Sequence, residues 1–307
     1  MYKINDILVA LDLSAMDDVL LKYAAKISKH LQPEKIYLTH VAKEKDLPEE
    51  LVKAYPGLIT PLDEILGNQI KSNYEKFFDE ELKAKVEVIV TEGSPEKIIL
   101  DLVKDKDIEL VLLGRKNDLK GEGVKAHKLA KILPCTIGFV PEILPESFNK
   151  ILTPTDFSSS SQMALEFAAT VSEMNPGSTI TCFHAYNIPS GYSSTGKSFE
   201  EFSDIMKDNA KKRFDVQMKN LSWEDTSSIS CKFELTEQGE ESETMYDFAV
   251  EEGYDAIVMG SKGRTGMASL LLGSTAEKLI EFNKSLPVFI VKNKKSNMSF
   301  IDALLKL

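Results

Sequence analysis

Gly260-Ser-Lys-Gly263 and, after nine intervening residues, Gly273-Ser274-Thr275 follow the apolar run Ala256-Ile-Val-Met259 and lead into the helical stretch 276–282. A strand, a glycine loop and a helix start in that order present bare backbone N–H groups to an anion. Glycines remove the Cβ that would hold a phosphate away, and the unsatisfied amides and dipole of a helix start add positive potential there. The chemistry suggested is a cradle for nucleotide phosphates. Taken alone, a Gly-x-x-Gly pair at a strand-to-helix turn reads more readily as a structural turn.

A second stretch competes for the same chemistry. Gly191-Tyr-Ser-Ser-Thr-Gly196-Lys197-Ser198 fits the Walker A pattern letter for letter. As a working P-loop it would use Lys197 on the β- and γ-phosphates and Ser198 on magnesium. Pro189 separates it from the preceding strand, however, whereas a P-loop leaves its strand directly. No strand ending in aspartate offers a magnesium partner, so residues 193–198 are expected to be a mobile loop, with a flap over the crevice as one role. Catalytic signatures are missing elsewhere: no Gly-x-Ser-x-Gly turn, no His-Glu-x-x-His and no Cys–His pairing. With no base to orient a water, any ATP hydrolysis is expected to be slow and incidental.

The elements that must position these residues occur twice. Asp6-Ile-Leu-Val-Ala-Leu-Asp12-Leu-Ser14 returns as Lys150-Ile-Leu-Thr-Pro-Thr-Asp156-Phe-Ser158. His40-Val41 returns as His184-Ala185, Glu92-Gly93 as Gln238-Gly239, and Leu133-Pro134 as Leu286-Pro287. This is a tandem duplication, with a boundary in the proline-interrupted stretch 141–149. The expected units are a domain over 1–142, a second over 149–293 and a tail over 294–307. In the second half strands are expected at 151–155, 179–186, 229–237, 256–260 and 288–292, with helices near 162–174, 200–221, 243–252 and 275–283. Such alternation predicts an α/β fold of two doubly wound parallel five-stranded sheets. In these sheets ligands sit beyond the carboxyl ends of the strands, at the switch in strand order. Asp156 and Gly260 would flank that crevice.

With these residues located, the chain resembles the universal stress protein family over both halves, and its second half resembles the ATP-binding subgroup. Gly260, Gly263, Gly273 and Ser274 match the family's phosphate motif, and Pro154-Thr155-Asp156 its first-strand motif. The resemblance implies a Rossmann-like, adenine nucleotide alpha hydrolase-like fold and ATP as ligand, with Mg2+, AMP or another adenylate left open. It implies that Asp156, beside Pro154 and Thr155, hydrogen-bonds the ribose or adenine side and that the Ala185 backbone faces adenine. Met259, Gly260, Gly263, Gly273, Ser274 and Thr275 would then line the phosphate side. Lys262 and Arg264 either add charge there or are solvated surface groups. Family members commonly pair through their last strands, which implies an internal pseudo-dimer formed by strands near 136–140 and 288–292.

The first half departs from the motif. Gly114 aligns with Gly260 and Gly123 with Gly273, but Asn117 stands at the Gly263 position, Val124 replaces Ser274 and the loop is four residues shorter. This half reads as degenerate for ATP, with Asp12, Val41 and Gly114 as remnants or as contacts to a smaller ligand.

A net charge of −11 over 307 residues argues against nucleic acid or an anionic membrane as main partner and suits a cytoplasmic protein. No opening apolar signal or bilayer-length apolar run stands out. Cys135, Cys182 and Cys231 are expected to be reduced and mostly buried, and His40 and His184 structural. The run Ser158–161 is expected to cap the next helix. The expected function is a nucleotide-dependent stress-response regulator acting on a regulatory protein partner, with a nucleotide-independent scaffold as the contrasting class. Phe300, Ile301, Leu304 and Leu305 share one helical face of the tail, which would dock on its own body or, in a homodimer, on a second chain.

Overall fold

The computed structural model describes residues 3–42, 62–116, 122–173, 175–223, 226–263 and 272–298. In the first half, β1 (Asp6–Leu11), β2 (Lys35–Ala42), β3 (Val86–Glu92), β4 (Leu110–Gly114) and β5 (Thr136–Val140) alternate with α1 (Met16–Leu31), α2 (Leu62–Tyr74), α3 (Glu80–Lys83), α4 (Pro95–Asp105) and α5 (Glu122–Ile132). The second half repeats this with β6 (Lys150–Pro154), β7 (Thr179–Tyr186), β8 (Ile229–Leu235), β9 (Ala256–Gly260) and β10 (Val288–Val291). Its helices are α6 (Ser159–Glu173), α7 (Phe199–Lys219), α8 (Glu241–Glu251) and α9 (Ser274–Phe282).

The helices form because their apolar residues recur on one face and their ends are marked. In α1, Leu20, Leu21, Ala24, Ala25, Ile27 and Leu31 are buried, Asp17 and Asp18 lie in the first turn, and left-handed Gln32 ends the helix by donating its N–H to the Ser28 carbonyl. The strands next to the switch points, β4 and β9, are buried throughout except at their last glycine. That is the burial of a sheet covered on both faces.

The two expected five-stranded sheets are one sheet of ten strands, in the order β3-β2-β1-β4-β5-β10-β9-β6-β7-β8. Every pairing within a half is parallel, and the single antiparallel pairing is the seam between β5 and β10, where Ile137 faces Ile290. The terminal strands therefore join the halves about a pseudo-twofold axis and remove two sheet edges. Gly138 permits the close approach at this seam, since a Cβ there would lie 2.7 Å from Leu112 Cδ2 and 2.9 Å from Phe289 Cε1. The Phe289 ring is packed by Tyr23, Phe148 and Phe167, so residues of both halves share its contacts. The apolar core on each face of the sheet likewise runs through both halves.

Side chains lock the seam and the connection. The Lys292 ammonium, 2% exposed, donates to the Ala130 carbonyl and to the Leu133 carbonyl at 2.8 Å. The Asp255 carboxylate accepts from Ser147 Oγ at 2.8 Å and from the N–H groups of Asn149 and Lys150 at 2.7 and 3.0 Å, fixing the stretch between the halves. Residues 294–298 form a helical turn. It docks on the first half through Lys294, which meets Asp107 at 2.7 Å, and Asn297, which donates to the Pro134 carbonyl at 3.2 Å. The apolar face at Phe300, Ile301, Leu304 and Leu305 lies outside the described residues.

Residues 193–198, expected to be a mobile loop, contain regular backbone structure. Ser190–Thr195 is a short 3-10 helix closed by left-handed Gly196, and Ser198 opens α7. Cys135 and Cys182 are buried and Cys231 half-buried, all three as free thiols. Burial pushes the Cys135 and Cys231 thiols up to about 12. Among the described residues no helix is long and apolar enough to cross a membrane.

Candidate functional site

Strand order reverses between β6 and β9, and a cleft of about 350 Å³ opens beyond their carboxyl ends. All ten expected site residues line it. Pro154 closes β6, with Thr155 and Asp156 directly after; Ala185 is the penultimate residue of β7; Met259 and Gly260 end β9. Gly263 follows in the loop, Gly273 stands at the N-cap of α9, and Ser274 and Thr275 form its first turn. Arg264 and residues 265–271 lie outside the described residues.

Local folding fixes one wall. The Thr155 hydroxyl accepts the Phe157 N–H at 3.0 Å, and Asp156 Oδ1 accepts the Ser158 N–H at 3.0 Å. Phe157 is held at φ 63°, a left-handed conformation uncommon for an aromatic residue, and its counterpart Leu13 has φ 61°. The strained corner thus belongs to the duplicated unit. Ser158 Oγ accepts the Ser161 N–H at 3.3 Å, so the serine run caps α6 as its composition suggests. His184 Nδ1 lies 2.7 Å from the Thr155 carbonyl oxygen and His40 Nδ1 3.0 Å from that of Leu11, so each histidine ties the second strand of its half to the corner.

The opposite wall is bare backbone. A Cβ on Gly260 would lie 2.6 Å from Ser160 Oγ and 2.7 Å from Ser160 backbone atoms, and one on Gly263 3.2 Å from Asp156 Oδ2. Gly273 donates its N–H to the Ser261 carbonyl at 2.8 Å, which closes the loop and sets the start of α9. The first N–H groups of a helix have no intrahelical acceptor, and Ser274, Thr275 and Ala276, the first residues of α9, all line the cleft. Lys262 is also among the lining residues, and burial lowers its ammonium below the usual lysine range. The result is a crevice whose lining brings together the Asp156 and Glu241 carboxylates, apolar residues, and the backbone and hydroxyl groups of the glycine loop and the start of α9.

The universal stress protein family model matches residues 3–136 and 147–292. The chain belongs to the universal stress protein family. Two universal stress proteins of Methanocaldococcus jannaschii are similar in sequence, one 29% identical over 160 residues, 48% of this chain and 98% of the relative, the other 28% identical over 148 residues, 48% and 84%. In fold the whole chain is similar to a functionally unknown protein of Pseudomonas aeruginosa, with a TM-score of 0.67, 16% identity and 99% and 98% of the two chains covered. It is also similar to a universal stress protein of Archaeoglobus fulgidus, with a TM-score of 0.64, 19% identity and 95% and 99% covered.

The first universal stress domain has a smaller pocket at its own switch point, about 180 Å³, lined among others by Asp12, Val41 and Gly114. The Met16 side chain fills the space beside Gly114, its Cγ only 2.7 Å from where a Cβ would stand; the counterpart beside Gly260 is Ser160. Lys116 pairs with Asp12 at 2.5 Å. Burial raises the Asp12 carboxyl, but the hydrogen bonds from Lys116 and Ser14 outweigh it and hold the group below the usual range. Burial pushes neighbouring Asp17 up to about 6. Gly123 falls within the first turn of α5 rather than ahead of it. Asn117 and the Val124 side chain lie outside what the structure describes.

The Walker-like stretch is built differently from a phosphate loop. Ser198 Oγ accepts the Glu201 N–H at 3.2 Å while the Glu201 carboxylate accepts the Ser198 N–H at 2.9 Å, a reciprocal cap on α7. None of residues 190–198 is among the residues that line the cleft. Conversely, sequence reasoning missed Phe183, Glu241 and Met245, which also line the cleft. Phe183 was signalled by its place in β7, two residues before Ala185. Glu241 and Met245 become neighbours only through the packing of α8.

Proposed function

We propose that the second domain binds an adenine nucleotide, ATP in the first instance, as the free nucleotide or its magnesium salt, with AMP as an alternative occupant. The observation that carries this reading is the convergence, in one cleft at the switch point, of Asp156 with the glycine backbone and the open start of α9. Universal stress proteins can bind adenine nucleotides, and the donor set fits one. Ser274 and Thr275 hydroxyls and the first α9 amides meet phosphate oxygens, and Asp156 accepts ribose hydroxyls. The apolar Phe183, Met245 and Met259 offer a surface for a base, with the Ala185 backbone along its edge. The role is regulatory: the bound nucleotide biases the surface presented to a protein partner, and any hydrolysis is slow and incidental. A pocket half the size, with Met16 in place of Ser160, supports one nucleotide per chain.

The test is to denature freshly purified protein and analyse what it releases. An adenylate close to equimolar with the chain is expected. Protein that releases none and shows no affinity for added ATP, ADP or AMP would instead support a nucleotide-independent scaffold.

A further inference from the structure

Behind the corner that holds Asp156, a second hollow of about 530 Å³ lies between the start of α6 and the side of α7. It shares no lining residue with the cleft. Its polar lining includes Ser158, Ser159, Gln162, Lys212, Arg213 and Gln217, and it contains no carboxylate. On a chain of net charge −11, a hollow lined by two cations and no carboxylate stands apart from the protein's average field, although Asp208, one turn back on α7, interacts with Lys212.

The side chains are set as donors. Gln217, 5% exposed, accepts the Thr155 hydroxyl through Oε1 at 2.9 Å, which leaves its amide Nε2 directed away from Thr155. That Nε2 is buried without an acceptor among the described residues, and so is Nε2 of Gln162. Buried polar groups are rarely left in this state. Arg213 is held in place by its contact over the Phe157 ring, 4.8 Å from the centroid, and by donating to the Asp156 carbonyl at 3.3 Å. The N-terminal end of the 15-residue helix α6, with its Ser161 N–H already capped by Ser158 Oγ, adds its dipole. The duplicated half lacks this chemistry, since Ala15 and Asp18 stand where the second half has Ser159 and Gln162.

We propose that this hollow is an anion site, separate from the nucleotide cleft, that takes a phosphoryl group of a small molecule. Donors arrive from two helices and two side-chain amides, which suits a tetrahedral anion with acceptors on several faces better than a planar carboxylate. Its wall and the cleft's are successive residues of one corner, Thr155 and Asp156 on one side and Phe157 to Ser159 on the other. The site reads phosphate chemistry beside the nucleotide rather than as part of it.

Pyrophosphate titrated calorimetrically into the full chain carrying Gly263→Asp, which disables the cleft, tests this. One pyrophosphate per chain is expected in that background. Adding Lys212→Glu, an exposed position with no role in the fold, should weaken it at least about tenfold, and Gln162→Leu should weaken it without changing the circular dichroism spectrum. Three results would overturn the site: binding lost on Gly263→Asp alone, which places the anion in the cleft; binding unaffected by Lys212→Glu; or no heat of binding at millimolar pyrophosphate.

Discussion

Gly260, Gly263 and Gly273 look alike in the sequence, but the space around each differs, and so do the expected effects of substitution. Gly260→Ala drives a methyl into the Ser160 backbone at 2.7 Å, and the shift of α6 this demands should cost about 1–3 kcal/mol, read as a lower urea midpoint. Among the described residues, a Cβ at Gly263 meets only Asp156 Oδ2, at 3.2 Å. Gly263→Asp should leave the fold intact and abolish nucleotide binding by setting a second carboxylate where phosphates approach. Gly273→Ala finds ordinary contact distances of 3.5 Å and beyond and should be the mildest of the three. The positions of these glycines at the end of a strand and the start of a helix were legible because their spacing and the flanking apolar runs fix that local order. Lys292 was not legible as a special group: it read as the end of a strand, and only the seam places it beneath the Ala130 and Leu133 carbonyls. Burial lowers its ammonium to about 8 from 10.5. Between those values the unfolded chain binds the proton and the folded chain does not, so stability rises with pH across that window, by at most about 1.4 kcal/mol per pH unit. Lys292→Met should remove that slope in urea midpoints measured from pH 7 to 10; parallel curves for the two proteins would contradict the buried-ammonium account.

Among the elements, α7 and α9 begin with similar letters and do different work. Ser198 spends its hydroxyl on the Glu201 N–H, whereas Gly273 at the start of α9 makes no side-chain cap and leaves its first turn to the cleft. Ser198→Ala should therefore lower thermal stability by about 1 kcal/mol and leave ATP affinity unchanged. Lys197→Ala should change that affinity by no more than a few-fold, because the lysine lines no part of the cleft. A collapse of ATP binding in either variant would restore the Walker reading. The strands were readable almost to the residue, Thr179–Tyr186 and Ala256–Gly260 among them, because apolar runs bounded by turn residues have few alternatives. The 3-10 helix at Ser190–Thr195 was not, since short Ser- and Gly-rich segments carry no periodicity from which to read it.

For the whole molecule, the repeat announced two domains, and the pairing of their last strands followed from the family resemblance. What the sequence could not convey is that the fused sheet makes one core, because contacts such as Phe289 with Tyr23 join residues far apart in the chain. Phe289→Ala should cost about 3–5 kcal/mol, and the native chain should unfold in a single transition despite its two domains; two resolved transitions in the native protein would show the halves to be independent. The duplication also sets the central claim, that one half keeps a nucleotide cleft while Met16 and the Asp12–Lys116 pair narrow the other. Calorimetric titration of nucleotide-free protein with ATP tests it most directly. One site per chain, lost in Gly263→Asp, is the predicted result; two equal sites, or affinity retained in that variant, would contradict it.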